Sequence, residues 1–113
     1  MNQKQGTVII SPAVLSAIAR LTTLSVPGVV RMGSRGVSRL RGVHGDDGVK
    51  VQVSDEAVVL DIYVVATAGV NLLQLSRDIQ HKVTRAIHEI VGMAVREVNI
   101  HIVDVLDTEE PST

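Results

Sequence analysis

49-VKVQVSDEAVVLDIYVVAT-67 is the stretch that decides the fold. Val49, Val51 and Val53 alternate with Lys50 and Gln52, the two-residue period of a half-buried strand. Ser54 to Ala57 supplies a tight polar turn, and Val58 to Thr67 reads as a second strand. Leu60, Ile62, Val64 and Ala66 fall on one side of that strand. Val59, Asp61, Tyr63 and Val65 fall on the other. The two runs predict an antiparallel hairpin with one face for a core and one face left over.

Working outward, Asn71 is placed as the N-cap of a helix over Leu72 to Val91, and Gly92 as its C-terminal stop. Leu72, Leu75, Ile79, Val83, Ala86 and Ile90 mark the expected buried stripe. Ala94 to Leu106 follows as a strand, with Val98, Ile100 and Ile102 on one face and Glu97, Asn99 and His101 on the other. Upstream, Ser11-Pro12 is a helix start, and Pro27-Gly28 forces an end near Ser25. Val14, Ile18 and Leu21, with Ala17 and Leu24 beside them, give that helix an apolar stripe. Gly6 to Ile10 (GTVII) is expected to be a first short strand, and Val29 to Met32 another.

The fold class that follows is α+β. Two amphipathic helices pack on one face of a mostly antiparallel sheet, in the order β-α-(β)-β-β-α-β, and the second face is left to water or to a partner. The chain of 113 residues divides into a disordered N-terminus (1–5), one domain (6–106) and an acidic frayed tail (107–113). Inside the domain, residues 33–48 (GSRGVSRLRGVHGDDG) hold five glycines and show no buried periodicity, so they read as a flexible Gly/Arg surface loop.

Composition excludes several functions. There is no cysteine, hence no disulfide framework, thiol nucleophile or thiolate metal site. Tyr63 is the only aromatic residue, so base stacking on aromatic platforms is essentially absent. The longest apolar runs, such as Ile62 to Ala66, are far shorter than the roughly 20 residues that span a bilayer. No apolar signal segment follows the polar first residues. The net charge of −1 hides an asymmetry. Residues 1–45 carry six bases and no acid, whereas residues 46–113 carry all 12 acids against five bases. Two readings fit: a basic end seeking an anionic partner, or halves that neutralise each other within the fold or between protomers.

Candidate chemistry is sparse. His81 and His88 stand seven apart on one helix, too far for a shared ion, and Lys82 and Arg85 beside them repel cations. There is no nucleophile elbow, P-loop or HExxH. No catalytic, cofactor-binding or metal-binding residue is assigned, and no enzymatic activity is expected. A pocket joining His101 with Asp61 or Glu97 would be the sign of a site formed only by folding. Arg31, Arg35, Arg39 and Arg41 are the candidate partner- or anion-binding residues of the loop. Guanidinium forks suit phosphate oxygens, whether of a lipid headgroup or of nucleic acid. Val59, Asp61, Tyr63 and Val65 are the candidate partner-binding residues of the open sheet face.

The whole arrangement resembles the alkaline-shock protein family of envelope-stress proteins, found mostly in Gram-positive bacteria. The resemblance is carried in order by GTVIIS, VPGVV, GVKVQV, VVLDIYVVATAGVNL, SRDIQHKVTRAIHEIVGMAV and VREVNIHIVDV. It departs at Ala68-Gly69, where family members often have Tyr-Gly. The resemblance implies a cytoplasmic scaffold or adaptor, peripheral to the membrane. Such a protein associates with itself as a homo-oligomer and docks to a small membrane-anchored protein, with an anionic lipid surface as a further candidate partner. It implies no catalytic residues. The alternative is a nucleic-acid-binding regulator that uses the Gly/Arg loop, which the missing aromatics and the acidic remainder disfavour.

Overall fold

The computed structural model describes residues 5–34 and 48–107. Its elements are α1 (Pro12–Leu24), β1 (Val29–Met32), β2 (Val49–Ser54), β3 (Ala57–Thr67), α2 (Leu72–Val91) and β4 (Ala94–Leu106). β3 is the centre of the four-stranded sheet and pairs with all the others. Along one edge, β2 pairs antiparallel with residues 57–62 of β3 and β1 pairs antiparallel with residues 64–66. β4 runs parallel along the opposite edge, from Ala57↔Ala94 to Thr67↔Leu106. The parallel pairing follows from α2. Twenty helical residues at 1.5 Å each carry the chain about 30 Å back to where β3 began, so the next strand repeats its direction.

The hairpin forms where the alternation placed it. Asp55 (φ 49°) and Glu56 (φ 67°) make its two-residue turn, and both are left-handed. Such a turn matches the twist of the strands but suits glycine better than glutamate. Glu56→Gly should therefore stabilise the fold by about 0.5–1 kcal/mol. Urea unfolding checks this, and an unchanged or lowered midpoint would mean that position 56 carries no strain.

Val58, Leu60, Ile62, Val64 and Ala66 of β3 are fully buried under both helices. α2 is capped by the Asn71 side chain, which accepts from the Gln74 N–H at 2.9 Å, and closes on left-handed Gly92. Its buried residues are Leu75, Ile79, Val83 and Ile87. That i, i+4 row replaces Ile90 of the expected stripe, which is 69% exposed, and leaves Leu72 exposed and Ala86 half-buried. The Gln80 amide also donates to the Val98 carbonyl at 2.9 Å, fixing α2 over β4.

α1 departs further from expectation. Leu15, Ala19 and Thr23 are buried, while Val14 (47%), Leu21 (61%) and Leu24 are exposed. The helix is apolar or small on nearly every side, with Arg20 its only charge, so more than one stripe can be drawn on it. Packing against α2 and the β1–β2 edge selects the row with the smaller residues. Thr23 tolerates burial because its hydroxyl donates to the Ala19 carbonyl at 2.7 Å.

Gly6 to Ile10 is not a strand, which corrects the first element of the expected order. The segment is coil, with Val8 85% and Ile9 83% exposed. β-prone residues form a strand only where they pair with an edge, and this segment pairs with none of the described strands. The 33–48 segment leaves and rejoins the sheet at one point. The Gly33 N–H donates to the Tyr63 carbonyl at 2.7 Å, and the Tyr63 N–H donates to the Gly48 carbonyl at 2.8 Å. Residues 35–47, including Arg35, Arg39 and Arg41, lie outside the described residues, as do the 1–4 and 108–113 termini.

Candidate functional site

Both helices cover the face of β3 that carries Leu60 and Ile62, so the opposite face has no layer over it among the described residues. Strand alternation and register fill that face. β3 supplies Val59, Asp61, Tyr63 and Val65. β2 sets Gln52 beside Val59 and Lys50 beside Asp61, and β1 sets Arg31 beside Val65. β4 sets Glu97 beside Val59, Asn99 beside Asp61, His101 beside Tyr63 and Asp104 beside Val65.

At the centre, the parallel register brings together three residues that span 40 positions of sequence. His101 Nε2 lies 3.0 Å from Asp61 Oδ1, with the ring N–H directed at the carboxylate. The His101 ring lies flat against Tyr63, centroids 4.3 Å apart and planes 10° from parallel. Asp61 thereby fixes the ring that covers the only aromatic residue. The result is a stacked Tyr63–His101 pair beside Val59 and Asp61 in the middle of the face, with charged and polar residues on both flanking edges. The pair is part-buried on a sheet surface, and among the described residues no group of three His, Cys, Asp or Glu side chains is arranged to hold a metal. His81 and His88 are exposed on α2.

The sheet-face candidates are therefore brought together, with one qualification. Val59, Asp61 and Tyr63 are part-exposed, whereas Val65 is only 3% exposed and offers little to a partner. Of the loop candidates, Arg31 is described, and it is an exposed residue of β1 on this same face. The face also contains Lys50, Glu97, Asn99 and His101, which the alternating pattern could have assigned to it, and Asp104, which alternation would put on the other side and which a register shift after Ile102 brings beside Val65. Their arrangement across the sheet needed the strand order.

Away from this face lies an apolar hollow of about 530 Å³ between the N-terminal segment and the body. Val8, Ile9 and Ile10 form one wall, and Val53, Val91 and Met93 the other. No helix among the described residues is long and apolar enough to cross a membrane.

Comparison with known proteins places this geometry. The uncharacterized protein YqhY of Bacillus subtilis (strain 168) is 32% identical over 106 residues, covering 88% of this chain and 77% of that protein. YloU of the same organism is 26% identical over 108 residues, 90% of each chain. Spy1535 of Streptococcus pyogenes serotype M6 is 29% identical over 108 residues, 94% of this chain and 84% of that one. Among solved structures, a zinc form of the MamM CTD matches with a TM-score of 0.52 at 12% identity, covering 90% of this chain and 97% of that chain. A manganese form of that domain matches with a TM-score of 0.50 at 10% identity, covering 86% and 99%. At such identity the likeness is one of fold alone. The family match spans residues 1–106, and with it the chain belongs to the alkaline-shock protein family, a family of cell envelope-related function.

Proposed function

We propose that this chain is a non-enzymatic scaffold or adaptor of the cell envelope that associates with itself and docks to a membrane-anchored partner. The observation that carries the reading is the uncovered sheet face with Val59 and the Tyr63–His101 stack at its centre. A sheet covered on one side leaves its other face to water or to a partner, and the part-apolar centre of this face favours a partner. The alkaline-shock family's envelope-related function agrees with a place of action at the cell envelope. The Asp61–His101 pair has an orienting role in this reading: it locks the ring against Tyr63.

Light scattering after gel filtration of the full chain should show a mass above one protomer at micromolar concentration. A monomer across that range would sink the self-association. Affinity capture of the tagged chain from detergent-solubilised, nuclease-treated cells should bring down a small integral membrane protein in near-stoichiometric amount. Recovery of nucleic-acid-associated proteins alone, and only without nuclease, would overturn the envelope reading.

A further inference from the structure

The open sheet face is divided by charge across its width. On the β1–β2 edge its charged residues are Arg31 and Lys50, both basic and exposed. On the β4 edge the described charged residues in register with this face of β3 are the exposed acids Glu97 and Asp104, and the exposed base Arg96 stands at the register shift beside Glu97. None of Arg31, Lys50, Glu97 and Asp104 forms an ion pair with another described residue; Asp61, the one acid in the middle strand, is bonded to His101.

We infer that this face binds a second copy of the chain, turned by a two-fold axis that runs along β3. Two identical sheets can meet face to face in two simple ways. An axis across the strands lays each edge over the same edge of the second copy, base on base and acid on acid. An axis along β3 exchanges the edges and lays the basic edge of each copy over the acidic edge of the other. Charge therefore selects the second arrangement, which is isologous and closes as a dimer.

The heights along the strands agree with it. Arg31 and Asp104 are both in register with Val65, so an axis along β3 brings Arg31 of one copy level with Asp104 of the other. Lys50 is in register with Asp61 and Glu97 with Val59, two residues apart and hence about 7 Å along the strand, within reach of a lysine side chain. Each pair occurs twice by symmetry. Between the two rows, Val59 and Tyr63 of both copies form the apolar centre, and the stems of Arg31 and Lys50 extend it. Packed sheets stand about 10 Å apart with their strands turned by about 30°, which these side chains can span. The asymmetry between the basic N-terminal half of the sequence and its acidic remainder is thus partly neutralised between protomers.

This arrangement rests on the self-association proposed above, and a charge-exchange experiment separates the two. Two double variants of the full chain are compared with the parent by sedimentation at low salt: Arg31→Glu with Lys50→Glu, and Glu97→Lys with Asp104→Lys. All four positions are exposed, and circular dichroism verifies that each variant is folded. Each variant alone puts like charges opposite one another and should weaken self-association at least about tenfold. In a mixture, one variant has two acidic edges and the other two basic edges, so every facing pair is complementary. Mixing should restore association to near the parent level. If the parent associates but both variants associate equally well, or mixing restores nothing, the arrangement is wrong and self-association stands on another surface. If the parent is a monomer, both fall.

Discussion

Gly48→Ala is expected to destabilise the fold by about 3 kcal/mol or more. Gly48 has φ +84°, in the left-handed region, and a Cβ there would stand 2.8 Å from the Gly33 carbonyl oxygen and 3.0 Å from Met32 Cβ. It would also lie 3.1 Å from the Tyr63 carbonyl oxygen. A non-glycine residue held left-handed costs about 1–3 kcal/mol, and overpacking costs a similar amount. One oxygen belongs to Gly33, whose N–H is bonded to β3, and the other to Tyr63 within β3 itself, so neither can retreat cheaply. Urea denaturation measures the loss, and a change under about 1 kcal/mol would mean that the junction relaxes. The position matters beyond stability, because Gly33 and Gly48 clasp Tyr63 from its backbone side. A variant that folds with this clasp loosened should also misplace the Tyr63–His101 patch and weaken self-association.

Ile62→Ala should cost about 2–5 kcal/mol, a large fraction of the roughly 5–15 kcal/mol that holds a domain of this kind. Ile62 is fully buried at the middle of the sheet, in register with Val49 on one side and Ile100 on the other. Its neighbours are held by three ladders and two helices, so the space it leaves cannot collapse. Leu21→Ala on α1 is the matched control. Leu21 is 61% exposed, and its truncation should change stability by no more than about 0.5 kcal/mol. Equal losses from the two substitutions would mean that Leu21 faces the core after all and that the packing of α1 is wrong.

That contrast marks where sequence reading loses its hold. In β3 the faces are separated by a period of two, and polar Asp61 and Tyr63 break the apolar run, so the pattern admits one assignment. In α1 the apolar and small residues surround the helix, and periodicity alone cannot choose between Leu15–Ala19–Thr23 and Val14–Leu21–Leu24. The choice is made by which row fits against α2 and the sheet. The GTVII segment shows the same dependence. Its residues favour a strand, but strand formation is a pairing event, and within the described chain no partner reaches it.

By itself, the sequence determined the hairpin, both helices and their caps, the final strand and the α+β class, because alternation, capping and glycine or proline punctuation act over a few residues; the family was legible only as a resemblance in the order of motifs along the whole domain. Tertiary structure alone decided that β4 runs parallel, that His101 meets Asp61 and Tyr63, and that two glycines fifteen positions apart close on one carbonyl and one amide. It also gathered the bases and acids of the open face onto opposite edges. Those facts depend on strand order and register, which set distances between residues far apart in the chain, and no local pattern records them.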